Sequence, residues 1–217
     1  MRRLNGLVYL VGPNVFYFWE DWESATTLGT YINPNGNWCW YADINPNSGT
    51  DTWDVTNYAI GGRTENKIWC RGYNSDGIVA GANSSYDNNQ ESQLFTLAFD
   101  RSEWGTGVRN VKVMFYVWQE MESTYDYLYL SIRIAYNDGS VGSELLNGAA
   151  WYGDGSAHDW TRYVYTLDGS RYFDNENILR FQIILCFHSD YSVTYRGVYI
   201  DQFYVGTGDI AQNPSWP

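Results

Sequence analysis

Near the end of the chain a carboxylate stands inside an otherwise apolar and aromatic strand pattern, Arg196-Gly197-Val198-Tyr199-Ile200-Asp201-Gln202-Phe203-Tyr204-Val205. Period-two alternation predicts Val198, Ile200 and Tyr204 on one face, and Tyr199, Asp201 and Phe203 on the other. A buried carboxylate needs a cation or several hydrogen-bond donors. Cations are scarce here, with two lysines and eleven arginines against 25 acidic residues. A second run of acids among aromatics lies near the front, Val15-Phe16-Tyr17-Phe18-Trp19-Glu20-Asp21-Trp22-Glu23. The two segments together predict that the first and last strands lie side by side and that their carboxylates share a calcium ion. Calcium takes roughly six to eight oxygens in flexible geometry, which two or three carboxylates plus loop carbonyls can supply. An ion joining the two ends would also close a very long loop. The alternative left open is that Glu20 and Glu23 face solvent while Asp201 accepts from backbone or tyrosine donors. Glu122 and Asp126, flanking a turn, pose the same choice between a second ion site and a solvated loop.

Catalytic chemistry has little to work with. Of the two histidines, His158 sits in a Gly/Ser/Asp loop and His188 beside Ser189-Asp190, and neither has a metalloprotease or nucleophile-elbow context. Successive residues of a strand face opposite ways, so His188, Ser189 and Asp190 cannot form a relay. Glu120 and Glu122, two apart at a strand end, share a face and leave a two-carboxylate glycosidase as a third-ranked reading.

Binding chemistry is better supplied. Eleven tryptophans and twenty tyrosines give candidates for a sugar-stacking surface in Trp38, Trp40 and Tyr41, and again in Trp151 and Tyr152 with Trp160. The competing use of such residues is to fill and cover a core. The three cysteines suggest a bridge between Cys39 and Cys70, which sit in similar Trp-flanked settings, with Cys186 as a buried thiol. No CxxC or Cys/His cluster points to zinc.

The elements that must position these groups are strands. Glycine, asparagine, serine and threonine are abundant and prolines number five, as expected of strands joined by polar turns. Strands are expected at Leu7–Val11, Val15–Trp22, Trp38–Asp43, Lys67–Tyr73, Ser92–Asp100, Val111–Gln119, Tyr127–Tyr136, Trp160–Leu167, Ile178–Phe187 and Gly197–Val205. Residues 50–66 and 74–89 read as loops, and one helical turn fits within 170–177. This spacing predicts an all-β fold, an antiparallel two-sheet β-sandwich or jelly roll of about nine to eleven strands. The expected organisation is an apolar N-terminal extension over 1–14, the sandwich over 15–206 and a tail over 207–217.

A net charge of −12 argues against nucleic acid and anionic membranes as partners. No window reaches about eighteen consecutive apolar residues, so no membrane-spanning segment is expected. Met1-Arg2-Arg3 and the run to Val11 have the outline of a signal peptide. Asn5 and Gly6 break the run, however, and no small-residue cleavage site follows.

The order Phe18-Trp19-Glu20-Asp21-Trp22-Glu23, Tyr86-Asp87-Asn88-Asn89-Gln90-Glu91-Ser92, Phe99-Asp100-Arg101-Ser102, Glu122 through Leu130, Phe181 through Asp190 and Gly197 through Asp201 resembles the jelly-roll modules of the MAM-like and immune-inhibitor-A-like group. Those modules are appended to secreted peptidases and surface proteins. The resemblance spans 15–206, with Trp22 where the group has Phe and with residues 4–11 outside its pattern. It implies a non-catalytic extracellular sandwich holding calcium between Glu23 and Asp201, with Glu20 or Asp21 contributing. The expected function is binding or adhesion, to a polysaccharide or a cell-surface protein. The rival is a self-assembling filament subunit that donates residues 4–11 to the next copy.

Overall fold

The computed structural model describes residues 9–12, 15–20, 22, 29–30, 42–44, 53–70, 85–96, 98–101 and 110–207, with the first four strands described as backbone only. The expected extension thus enters from Tyr9 onward, and most of the tail lies outside. Among the described residues there are fourteen strands in two sheets of seven. The larger count reflects β3 (Gly29–Thr30), β5 (Trp53–Thr56) and β11 (Val141–Tyr152), which fall outside the expected strands, and the division of the expected Ser92–Asp100 strand into β7 (Glu91–Phe95) and β8 (Phe99–Asp100); β4 (Ala42–Ile44) overlaps the end of the expected Trp38–Asp43 strand.

The first sheet is built on β14 (Gly197–Gly206). Along its whole length β14 pairs with β9 (Lys112–Glu120), which in turn pairs with β12 (Ala157–Thr166). Its other flank is shared. The first half meets β6 (Lys67–Cys70), and beyond it β5; the second half meets β2 (Val15–Glu20), and beyond it β1 (Tyr9–Gly12). The acidic front segment in β2 and the last strand are therefore neighbours, as the sequence predicts, with Phe203 opposite Glu20 and Tyr204 opposite Trp19. β1 pairs with β2 of its own chain.

The second sheet runs β11 (Val141–Tyr152), β10 (Tyr127–Tyr136), β13 (Ile178–His188), β7 (Glu91–Phe95), β4 and β3, with β8 also on β13. All pairings are antiparallel except β3 with β4. One helical turn, α1 (Gly169–Tyr172), sits within the connection from β12 to β13, capped by Asp168, whose carboxylate accepts from the amides of Ser170 and Arg171.

The core lies between the sheets and follows period-two alternation. Val113, Phe115 and Val117 of β9 face Leu128, Leu130, Ile132 and Ile134 of β10 and Phe181, Ile183, Leu185 and Phe187 of β13. In β14 the alternation breaks. Val198 and Ile200 enter the core, and so do Phe203 and Val205, because a bulge lies between Asp201 and Tyr204 with Gln202 at a φ of 52°. Phe203 thus sits on the core face against Phe115, not beside Asp201 as strict alternation predicts.

Candidate functional site

Asp201 projects from the outer face of the first sheet and is 3% exposed. Its Oδ2 accepts from the Arg63 guanidinium, and its Oδ1 from the backbone amide of Gln202 at 2.8 Å. Burial pushes the carboxyl upward from its ordinary value, and the Arg63 bond and charge pull it part of the way back. Arg63 lies 4.5 Å above the Trp160 ring and 4.7 Å above that of Tyr116. It belongs to a strap, residues 57–66, that crosses the sheet. Lys67 Nζ donates to the carbonyls of Tyr58 and Glu65, and Trp160 Nε1 to that of Ile60 at 3.1 Å. Beneath the strap Trp69, Trp118 and Tyr199 are buried.

The cation that Asp201 requires is therefore an arginine of the chain itself. Glu20 enters the sheet beside Phe203, and Glu23 lies outside the described residues. As arranged, Asp201 does not fit a calcium ion, because the ion would have to displace the guanidinium. Glu122, Asp126 and Asp190 do bring carboxylate oxygens within 4.8 Å of one another. Those oxygens already have protein donors. Asp126 accepts from Tyr86 and from the Asp190 amide, Glu122 from Ser192 and Val193, and Asp190 from Ser192. Glu120 is held by Arg196 through Nε and so engages a different partner from Glu122.

The aromatic candidates separate. Trp38, Trp40 and Tyr41 lie outside the described residues, as does Cys39; Cys70 is buried with its Sγ 3.2 Å from Gln90 Nε2. Trp151 turns inward, stacked on Tyr163 at 4.6 Å and edge-on to Phe115. Its neighbour Tyr152 turns outward and is 56% exposed. Trp160 is committed to the strap.

Tyr152 begins a row of side chains that crosses four strands in register: Tyr127 is opposite both Tyr152 and His188, and His188 is opposite Glu91. The ring centroids of Tyr152 and Tyr127 are 5.1 Å apart, those of Tyr127 and His188 4.8 Å, and His188 Nδ1 is 2.8 Å from Glu91 Oε2. Tyr129 adds its hydroxyl to the other oxygen of Glu91. Within such a row each ring is covered by the next. The outermost, Tyr152, stands at the edge strand.

There Tyr152 lines a cleft of about 280 Å³ together with Val117, Gln119, Asp154, His158, Thr161 and Tyr163. Pairing of β9 with β12 sets His158 opposite Gln119 and Thr161 opposite Val117. The turn from β11 to β12 completes the rim. Gly153 lets this turn press against the backbone of 121–122, where a Cβ would come within 2.4 Å of the Glu122 carbonyl oxygen. The amide of Gly155 then donates to the Met121 carbonyl at 3.0 Å. Asp154 accepts from the Ser156 amide and lies 2.8 Å from His158 Nε2, and the histidine bond holds its carboxyl below the ordinary range. Inside, Gln119 is 7% exposed, and its Oε1 accepts from the Tyr163 hydroxyl at 3.2 Å. One exposed aromatic wall facing an amide, hydroxyls, an imidazole and a carboxylate suits a polar ring with an apolar face.

The sequence pointed to Tyr152 alone among these cleft residues. Gln119, Thr161 and Tyr163 carry no local motif; they meet through the register of β9 with β12, and only the alternation of Val117 with Gln119 hints at a shared side.

No protein-family model matches the sequence, and no curated protein matches it significantly. Solved structures similar to it include the K1 cleaved adhesin domain of Lys-gingipain from Porphyromonas gingivalis, with a TM-score of 0.45 and 13% identity over 89% of this chain and 99% of that one. The CBM22-1 xylan-binding domain of Paenibacillus barcinonensis Xyn10C gives 0.43 and 12% over 77% and 94%. A family 22 carbohydrate-binding module of Clostridium thermocellum Xyn10B gives 0.41 and 10% over 85% and 96%. Likeness at this level says nothing of what this chain binds. The two-sheet β-sandwich is shown by the structure itself, and membership of the MAM-like or immune-inhibitor-A-like group is not shown.

Proposed function

We propose that this chain is a non-catalytic, extracellular binding domain whose cleft takes a polysaccharide, one sugar ring stacking on Tyr152. The observation that carries this reading is the position of Tyr152. An exposed aromatic at the edge of one sheet faces Gln119, Thr161 and Tyr163 from the other, with Asp154 and His158 at the rim. Sugars offer apolar C–H faces and hydroxyl edges, and such a cleft answers both. The row through Tyr127 and His188 fixes the Tyr152 ring before a ligand arrives, which lowers the entropic cost of binding.

The test is titration of the protein against a panel of neutral polysaccharides by calorimetry. Binding by at least one is expected, with Tyr152→Ala weakening it about tenfold or more at unchanged melting temperature. Equal affinity of Tyr152→Ala and the parent protein would exclude this cleft.

Calcium between Glu23 and Asp201 is a separate proposal that rests on the sequence. It requires Arg63 to leave Asp201.

A further inference from the structure

The inner end of the cleft is more selective than a general sugar site needs to be. Gln119 is more than nine-tenths buried, and its Oε1 is occupied by the Tyr163 hydroxyl. Its Nε2 makes no hydrogen bond with a described residue and is not among the side-chain atoms sealed from solvent, so the cleft is where this donor is offered. The Tyr163 hydroxyl has given its proton to Gln119, and the Thr161 hydroxyl donates to the Asp159 carbonyl at 3.1 Å. Val117, 1% exposed and packed mainly in the core, lines the cleft beside the amide. A buried amide donor next to an apolar surface matches a group that has a carbonyl acceptor and a methyl on the same carbon.

We infer that the cleft recognises an acetyl substituent on its sugar, the carbonyl oxygen accepting from Gln119 Nε2 and the methyl resting on Val117. This inference rests on the polysaccharide reading and specifies its ligand class. A bare hydroxyl at the same place would reach the amide but has no methyl to set against Val117. An acidic sugar is disfavoured, because Asp154 stands ionised at the rim and the chain carries a net charge of −12. The acetyl group can be carried on nitrogen, as in N-acetylhexosamine chains, or on oxygen, as in acetylated xylans; the chemistry read by Gln119 is the same.

Two neutral probe pairs test the inference and separate its sources. Chitohexaose against cellohexaose changes the acetamido group to a hydroxyl on the same backbone, and O-acetylated xylan against the same xylan after alkaline deacetylation removes the ester. The acetylated member of at least one pair is expected to bind about tenfold more tightly or better, since a site built around a hydrogen bond penalises a ligand that lacks the partner. Which pair responds identifies nitrogen or oxygen as the carrier. Gln119→Leu should bring the two members of that pair together, whereas Tyr163→Phe, which keeps the amide, should preserve the preference; this control separates loss of the donor from general loosening of the cleft. Binding of both members of each pair within about twofold overturns the acetyl inference and leaves the polysaccharide reading standing. If no probe and no polysaccharide of the wider panel binds, the polysaccharide reading fails and the inference fails with it.

Discussion

Arg63 and Asp201, 138 residues apart in sequence, form an ion pair on the outer face of β14, with the guanidinium over the rings of Trp160 and Tyr116. The pair ties the strap to the central strand of its sheet. Because Asp201 is almost fully buried, removing the guanidinium alone leaves a charge without compensation. Arg63→Ala is expected to destabilise the domain by about 3 kcal/mol or more in urea unfolding. The double variant Arg63→Met, Asp201→Leu removes both charges and should cost less than the single change. A double variant at least as damaging as Arg63→Ala would mean that the pair's charges are not what matters there.

The strap also depends on Gly61. At a φ of 54° a Cβ there would lie 2.7 Å from Trp160 and 2.8 Å from Trp118, whereas at Gly62, with a φ of 78°, it would meet open space. Gly62→Ala should therefore cost only the backbone strain, about 1 kcal/mol. Gly61→Ala should add an overpacking penalty of about 1–3 kcal/mol. Thermal or urea unfolding of the two variants checks the order, and equal losses would show that the tryptophans yield freely.

Calcium dependence is a sharp question at the same carboxylate. With Arg63 as its cation, Asp201→Asn is expected to lower the melting temperature by the same amount in millimolar calcium and in chelator. If the parent protein instead gains stability from calcium and Asp201→Asn abolishes that gain, the ion lies between the first and last strands after all, because a ligand that binds only the folded state stabilises in proportion to its occupancy.

What could be read from the sequence followed from local pattern. The long strands β9, β10, β13 and β14 are legible in their alternation; the charge of Asp201 among aromatics points to a partner and to a neighbouring front strand, but the sequence reads that partner as calcium where the structure has Arg63. The bulge at Gln202 has no signal in the sequence, and because one left-handed residue reverses the faces that follow it, strict alternation puts Phe203 on the side opposite to the one it occupies. β11 is not legible in the sequence, where Gly142, Asn147 and Gly148 interrupt any alternation; the strand also has a register shift against β10. The cleft was the least legible part. Tyr152 meets Tyr127, and His158 meets Gln119, only through cross-strand register, which depends on how the whole chain folds and not on any short motif.

His188 gives the remaining expectation, a dependence on pH. The Glu91 hydrogen bond raises its value above that of an ordinary histidine, with burial opposing in part. A raised value means that the folded chain holds the proton more tightly than the unfolded chain. The stabilisation is therefore complete below the unfolded histidine value, about pH 6.5, and is lost as pH climbs through the higher folded value. Since the chain has two histidines, a His158→Gln background leaves His188 as the sole one titrating. In that background the stability advantage over the His158→Gln, His188→Gln double variant should be largest near about pH 6 and shrink toward about pH 8. Melting curves across this range measure the difference directly. An advantage that is constant, or that grows with pH, would show that Glu91 does not hold a proton on His188 in the folded chain.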